Sequence, residues 1–360
     1  MYRSIQEYIT TNAFSESIYY APRKDQIAKS LDTFLFNPNE CTAKRFALDY
    51  FEAGGKESVI TSLEDLIHES DRWTHCVSMY ILGCVIWQAL SPHTDQILES
   101  FLSSKCNLNI SCFKFSFTYY WFLSCLFHDY GVREEENFQS NSIKNDENCY
   151  SSILNKYRIG NSLFDEKGYQ YLFTYKPETY KSYLQYRMCN RRLDHGILGG
   201  LLLYDKISEI PEEKFRNAQL FWDTKISPKH IAVIADSICA HNIWHDVKQT
   251  IPQLVVGGNN EQKLNFIDNT LSYFLSLIDA IEPTKRFDNL NPKAIFENLN
   301  LEASYNNNSI TISFIQSPSE VFCMRQWYQK SMVALSRGDW LANTKASIEG
   351  NQKITICIEL

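Results

Sequence analysis

Five blocks of the chain carry imidazole and carboxylate groups at the ends of apolar runs. They are His75 in "DRWTHCVSMY", His128 and Asp129 in "LFHDYG", Asp194 and His195 in "LDHGILGG", His241 in "CAHNIWH", and Asp279 in "SLIDAIEPTKR". Imidazole nitrogens and carboxylate oxygens suit zinc, iron, manganese and similar divalent ions, and a helical scaffold can project them inward from separate helices. The doublet is the most informative block. Adjacent side chains point about 100° apart on a helix, so His128 and Asp129 serve one ion only where the helix is ending. Gly131 follows two positions later and is expected to give the chain freedom to bend there.

The remaining histidines separate by context. His68 competes with His75 as the first ligand, but the apolar helix continues past His75, whereas His68 stands among Glu69, Ser70 and Asp71. His245, one turn beyond His241, is open as a ligand, an orienting donor or a surface residue. His93 and His230 lie beside prolines at helix boundaries and are expected at the surface. Positive charge gathers in "YRMCNRR", where Arg187 and Arg191 share a face if the segment is helical and Arg192 adjoins them. Guanidinium forks match phosphate oxygens, so these three are expected to bind substrate, a solvated charged face being the alternative. Lys285 and Arg286, six and seven residues after Asp279, can reach the same pocket. Asp194 can assist proton transfer or orient an imidazole, and it can equally cap the helix that begins at His195.

Helical spacing of apolar residues predicts helices over Ser62–Leu90, Ser111–Asp129, Pro228–His245 and Glu261–Ile281, with a further one starting near His195. Residues 132–161 are polar and rich in breakers, which predicts a long surface connection. Beyond residue 290 the period changes. "LNLEASYNNNSITISFI" reads as a hairpin turning at Asn306–Asn308, "SPSEVFCMRQWYQKSMVALSRG" as a capped amphipathic helix, and "ASIEGNQKITICIEL" as a hairpin turning at Gly350-Asn351. The expected fold is therefore mainly α, a helical domain over 1–290 with N-terminal helices 1–60 as an extension. A small α+β unit over 291–360 closes it.

With 360 residues, 44% of them hydrophobic, the chain can bury a large core. The net charge of −7 argues against broad binding to a nucleic-acid backbone. Eleven cysteines with no C-x-x-C pair, several inside apolar helical runs, fit reduced packing thiols. No apolar leader opens the sequence, and its longest apolar stretches fall short of the ~20 residues that span a bilayer. A cytoplasmic protein with no membrane partner is expected.

The order of these residues resembles the HD-domain metal-dependent phosphohydrolase superfamily, whose motif is H…HD…D on a helical bundle. The likeness runs from His75, with Arg72 before it, through the "LFHDYG" doublet to Asp279 and its trailing basic residues. His195 and His241 resemble the extra ligands of the two-metal branches. The lysine common just after the family's doublet is replaced by Val132, with Arg133 beyond. The resemblance implies a helical HD bundle with two divalent ions (manganese, iron, zinc, nickel or magnesium). His75, His128, Asp129 and Asp279 would hold one, and Asp129 would bridge to the second on His195 and His241. The implied reaction is phosphoester hydrolysis by a metal-activated water, with His128, Asp129 and Asp194 as catalytic residues and a nucleotide or related phosphate ester as substrate. No protein nucleophile is required, consistent with a sequence that lacks a P-loop or nucleophile elbow. Two alternatives stand beside it: an HD nuclease on single-stranded nucleic acid, and a non-catalytic sensing or partner-binding module. In the last case the terminal hairpins would serve association, including oligomerisation.

Overall fold

The computed structural model of the chain describes residues 3–4, 73–105, 117–136, 149–166, 168–190, 192–209, 228–243, 263–287, 290, 292–306, 308–317, 322–336 and 340–360. In chain order the elements are β1 (Arg3–Ser4), α1 (Trp73–Leu90), α2 (His93–Ser100), α3 (Phe117–Phe127), α4 (Val132–Glu136), α5 (Cys149–Tyr157), α6 (Pro177–Cys189), α7 (His195–Ser208), α8 (Pro228–Ala240) and α9 (Thr270–Ile281). They are followed by α10 (Pro292–Asn298), β2 (Leu299–Asn306), β3 (Ser309–Gln316), α11 (Met324–Ser331), α12 (Val333–Ser336), β4 (Thr344–Glu349) and β5 (Lys353–Glu359). The expected mainly α fold with a small antiparallel sheet is present. Of the extension 1–60, expected to be helical, Arg3–Ser4 is instead a strand that pairs with β2, Arg3 opposite Leu301, and the rest lies outside the described residues.

Neither α1 nor α3 contains a Lys, Arg, Asp or Glu, and helices this apolar belong in an interior. They pack closely because Gly83 has no side chain. A Cβ there would stand 2.3 Å from the Trp121 indole, whose Nε1 donates to the Tyr80 carbonyl at 3.0 Å. The helix α7 meets α8 through a second small face. A Cβ on Gly200 would lie 2.4 Å from the Ala235 carbonyl oxygen, and one on Gly196 would lie 2.9 Å from the Ile238 carbonyl oxygen. Backbone therefore rests on backbone, and the start of α7 comes beside the end of α8.

Three expectations change. The one capped helix expected within 317–338 is two short helices, α11 and α12, and no side chain caps α11 at Cys323. The segment read as a long surface connection contains α4 and α5, with Cys149, Tyr150 and Ile153 buried. The last long helix begins at Thr270 rather than near residue 261, because Leu264 leaves the helical path to pair with the C-terminal unit. Its amide donates to the Trp340 carbonyl at 2.9 Å, and its carbonyl accepts from Ala342 at 2.8 Å.

The sheet is antiparallel in the order β1-β2-β3-β5-β4, with both hairpins turning where expected, at Asn308 (φ 60°) and Gly350 (φ 61°). Its inner face, with Leu301, Ile312, Phe314, Ile354 and Ile356, is buried in one core continuous with the helices. Trp327 of α11 is fully buried against Phe314 and donates its Nε1–H to the Ile281 carbonyl at 3.0 Å, which ties the sheet unit to the end of α9. Buried Cys76, Cys84, Cys125 and Cys239 are free thiols, as expected. No helix among the described residues is long and apolar enough to cross a membrane.

Gly200→Ala tests the α7–α8 contact. Alanine is the better helix former by about 1 kcal/mol, yet its methyl would meet a backbone oxygen that cannot rotate away. A net loss of roughly 1–3 kcal/mol is expected from urea unfolding. A stability gain would show that the helices are not held at this distance.

Candidate metal centre

Helix ends deliver the six expected ligand residues. His75 lies in the first turn of α1, His128 and Asp129 directly follow α3, His195 opens α7, His241 directly follows α8, and Asp279 occupies the last turn of α9. Ligand atoms of His75, His128 and Asp279 lie within 4.8 Å of one another, and those of Asp129, His195 and His241 do the same. The doublet stands between the groups: Asp129 Oδ1 is 3.5 Å from both His128 Nε2 and His195 Nε2, and His128 Nε2 is 3.8 Å from Asp279 Oδ1.

Four imidazoles are oriented in two different ways. His128 Nδ1 donates to the Cys125 carbonyl at 2.8 Å and His241 Nδ1 to the Ile238 carbonyl at 2.6 Å. These carbonyls belong to last helical turns, where backbone acceptors lack intrahelical partners. Each bond keeps the ring proton on Nδ1 and the lone pair on Nε2. His75 and His195 use carboxylates instead. Glu282 accepts from His75 Nδ1 at 2.8 Å, and Glu135 accepts from His195 Nδ1 at 2.6 Å. Glu282 is fully buried and is held in turn by the Ser78 hydroxyl and the Thr284 and Lys285 amides. Glu135 is held by the Arg187 guanidinium.

Two buried carboxylates are kept ionised here by positive charge on their neighbours. Although burial opposes it, the carboxylates beside His75 and His195 raise the pKa of both imidazoles, so an ion that binds takes the place of protons on these rings. Burial works against the charge on Asp129, yet His128, His195 and His75 around it hold its carboxyl well below the usual range. Asp279 is likewise buried and likewise kept ionised, by Lys285, His128 and His75. Burial, helped by His128 and His195, lowers the His241 pKa to about 3, so this imidazole is neutral and able to ligate. The C-terminal ends of α3, α8 and α9, each a negative dipole end, meet at the same place. His128 Nε2 is the sharpest indicator, a buried nitrogen with no close hydrogen-bond partner among the described residues, 3.5 Å from Asp129 Oδ1 and 3.8 Å from Asp279 Oδ1. Leaving such an atom unsatisfied costs roughly 1–3 kcal/mol, and its lone pair is aimed between two carboxylates. The donor set therefore fits divalent metal.

Gly131 acts differently from the expectation. It does not adopt a positive φ. A Cβ at this position would lie 2.4 Å from the His195 carbonyl oxygen and 2.7 Å from its Cα, so what Gly131 provides is contact with the His195 backbone. Asp194 caps α7, its Oδ1 accepting from the Ile197 amide at 2.8 Å, and it is buried. Arg187, expected at the substrate, is buried behind His195 on Glu135 and the Leu193 carbonyl. Arg192 is exposed, and Arg191, His68 and His245 lie outside the described residues. Lys285 pairs with Asp279, whereas Arg286 turns toward the C-terminal unit, its Nε donating to Ser331 Oγ at 3.0 Å.

His93 is exposed as expected, stacked on Tyr305. His230 is not: it is buried, with its Nδ1 on the Tyr120 hydroxyl. Sequence reasoning missed Glu135 and Glu282. Glu282 carried a usable signal, three residues after Asp279 and so on the same helical face. Comparison of the chain with protein-family models, curated proteins and solved structures found no match.

Burial lowers the His230 pKa to about 4, against about 6.5 in an unfolded chain. Between those values the unfolded state binds the extra proton, so this contribution is intact above pH 6.5 and is lost as pH falls toward 4. Urea unfolding at pH 7, 6 and 5 should show the stability difference between the protein and His230→Asn shrinking by up to about 1.4 kcal/mol per pH unit. A difference that does not change with pH would rule out a neutral buried His230.

Proposed function

We propose that the chain is a metal-dependent phosphohydrolase of the HD type, acting on a nucleotide or a related phosphate ester. The observation that supports this reading is the pair of three-residue ligand groups on either side of one His-Asp doublet. His75, His128, Asp129 and Asp279 would hold one divalent ion, and His195 and His241, with Asp129 shared, the other. Ions bound there supply Lewis-acid stabilisation of a phosphoryl group and acidify a bound water.

The rest falls to the chain's own side chains. Glu282 and Glu135 fix which nitrogen of His75 and His195 faces the centre. Lys285 brings an ammonium group to Asp279, with about a quarter of its side chain (27%) exposed, where it can attract a phosphate dianion. Arg192 adds an exposed guanidinium before α7. A few point charges of this kind suit a small phosphate ester. A polymer gripped along many phosphates needs an extended basic surface, which a chain of net charge −7 is poorly suited to supply.

The protein reconstituted with manganese or iron should carry more than one metal equivalent by elemental analysis. It should release phosphate from at least one member of a panel of deoxynucleotides, cyclic nucleotides and single-stranded DNA. Asp129→Ala should abolish hydrolysis and strip both ions, while His195→Ala should remove mainly the second. Retention of full metal and activity by both variants would overturn the assignment. Degradation of single-stranded DNA alone, with steep loss at moderate salt, would identify a nuclease instead.

A further inference from the structure

Residues 129–135 surround His195 on three sides. Asp129 Oδ1 faces its Nε2 at 3.5 Å, Gly131 packs on its backbone, and Glu135 Oε2 takes its Nδ1–H at 2.6 Å. The other oxygen of Glu135 is held by Arg187, which reaches over from α6 and is anchored as well to the Leu193 carbonyl at 3.2 Å. The result is a guanidinium–carboxylate–imidazole chain whose far nitrogen faces Asp129 and His241. The Asn242 Nδ2 lies against both ring nitrogens, 3.2 Å from Nδ1 and nearer to Nε2. It is therefore the Glu135 bond at Nδ1 that leaves the accepting lone pair on Nε2, where Asn242 gives way when an ion binds.

We propose that Glu135 is the positioning residue of the Asp129/His195/His241 group, fixing the His195 tautomer and raising its basicity toward a divalent ion, with Arg187 holding Glu135 in place. This rests on the metal-centre reading above. Three observations carry it. The Glu135–His195 bond is short and joins α4 to the first residue of α7, so it fixes the ring against rotation. Arg187 is buried although it carries a full charge, which is costly unless the charge is paired, and Glu135 is its paired carboxylate. The other three imidazoles each have their Nδ1 fixed by a buried acceptor, Glu282 for His75, Cys125 O for His128 and Ile238 O for His241. Glu135 does the same for His195 from a more accessible place, with 22% of its side chain exposed.

The consequence is selective. Loss of Glu135 leaves the His75/His128/Asp279 group with all of its own supports, so only one of two ions should weaken. Arg187 would then affect hydrolysis only through the second ion.

Cobalt(II) titration of the full chain, followed by visible absorption and by competition with a chelator, reads the two ions separately. Glu135→Ala should weaken the second cobalt about 10- to 100-fold and change its absorption band, with the first unchanged. Glu135→Gln should fall between, because an amide oxygen still accepts the Nδ1–H but brings no negative charge. Being nearly isosteric, it also guards against a folding defect. Arg187→Met should move the second ion in the same direction by less. Equal binding of both cobalt ions by all three variants, in a protein that takes up two, would overturn the role of Glu135 alone. A wild-type protein that takes up no second cobalt would overturn the metal-centre reading and this inference together.

Discussion

The structure depends on the clasp that residues 128–135 make around the start of α7. His128 and Asp129 leave α3, Gly131 lets the turn touch the His195 backbone, and Glu135 closes on the His195 ring. Without the glycine contact, the first residue of α7 could not lie against this turn, and the two ligand groups would be pushed apart. The glycine faces between α7 and α8 extend the same constraint, since they let His241 approach along the neighbouring helix. Glycine inside a helix costs about 1 kcal/mol relative to alanine. That cost is accepted here at Gly196, Gly199 and Gly200, where backbone must meet backbone.

Helix ends are well suited to this centre for a reason of polarity. A last turn exposes carbonyl oxygens that need donors, and an imidazole just beyond it can supply one while presenting its other nitrogen. His128 and His241 both do this, each to the carbonyl three residues back. The same ends carry negative dipole charge, so orientation of the ligand and attraction of a cation come from one piece of geometry. His75 and His195 stand near helix beginnings, where no such carbonyls are available. Glu282 and Glu135 take over there.

Much of this was legible in the sequence, and what was missed has a common cause. The apolar runs fix where α1, α3, α8 and α9 lie because helical periodicity is a local property. An ionisable group that interrupts such a run stands out, which is why His128, Asp129, His241 and Asp279 could be named. The run "VREEE" has no apolar period and reads as solvated surface, yet it forms α4 and supplies Glu135. The fate of the Glu135 charge is set by partners on α6 and α7, distant in sequence. Arg187 was misread for the same reason: a guanidinium near a candidate site suggests a phosphate, and nothing nearby in sequence reveals that Glu135 already holds it. His230 looked exposed beside Pro228, but the Tyr120 hydroxyl from α3 gives it a buried partner.

The bond from Trp327 to the Ile281 carbonyl links two parts of the molecule that differ in architecture. Asp279 lies two residues before that carbonyl, and Glu282 one residue after it. The end of α9 that carries both carboxylates is thus held by an indole from beyond the first hairpin. During synthesis, the ligands from His75 to His241 would leave the ribosome well before this buttress exists. The last support of this end of α9 therefore comes from a part of the chain made after every one of the residues it steadies.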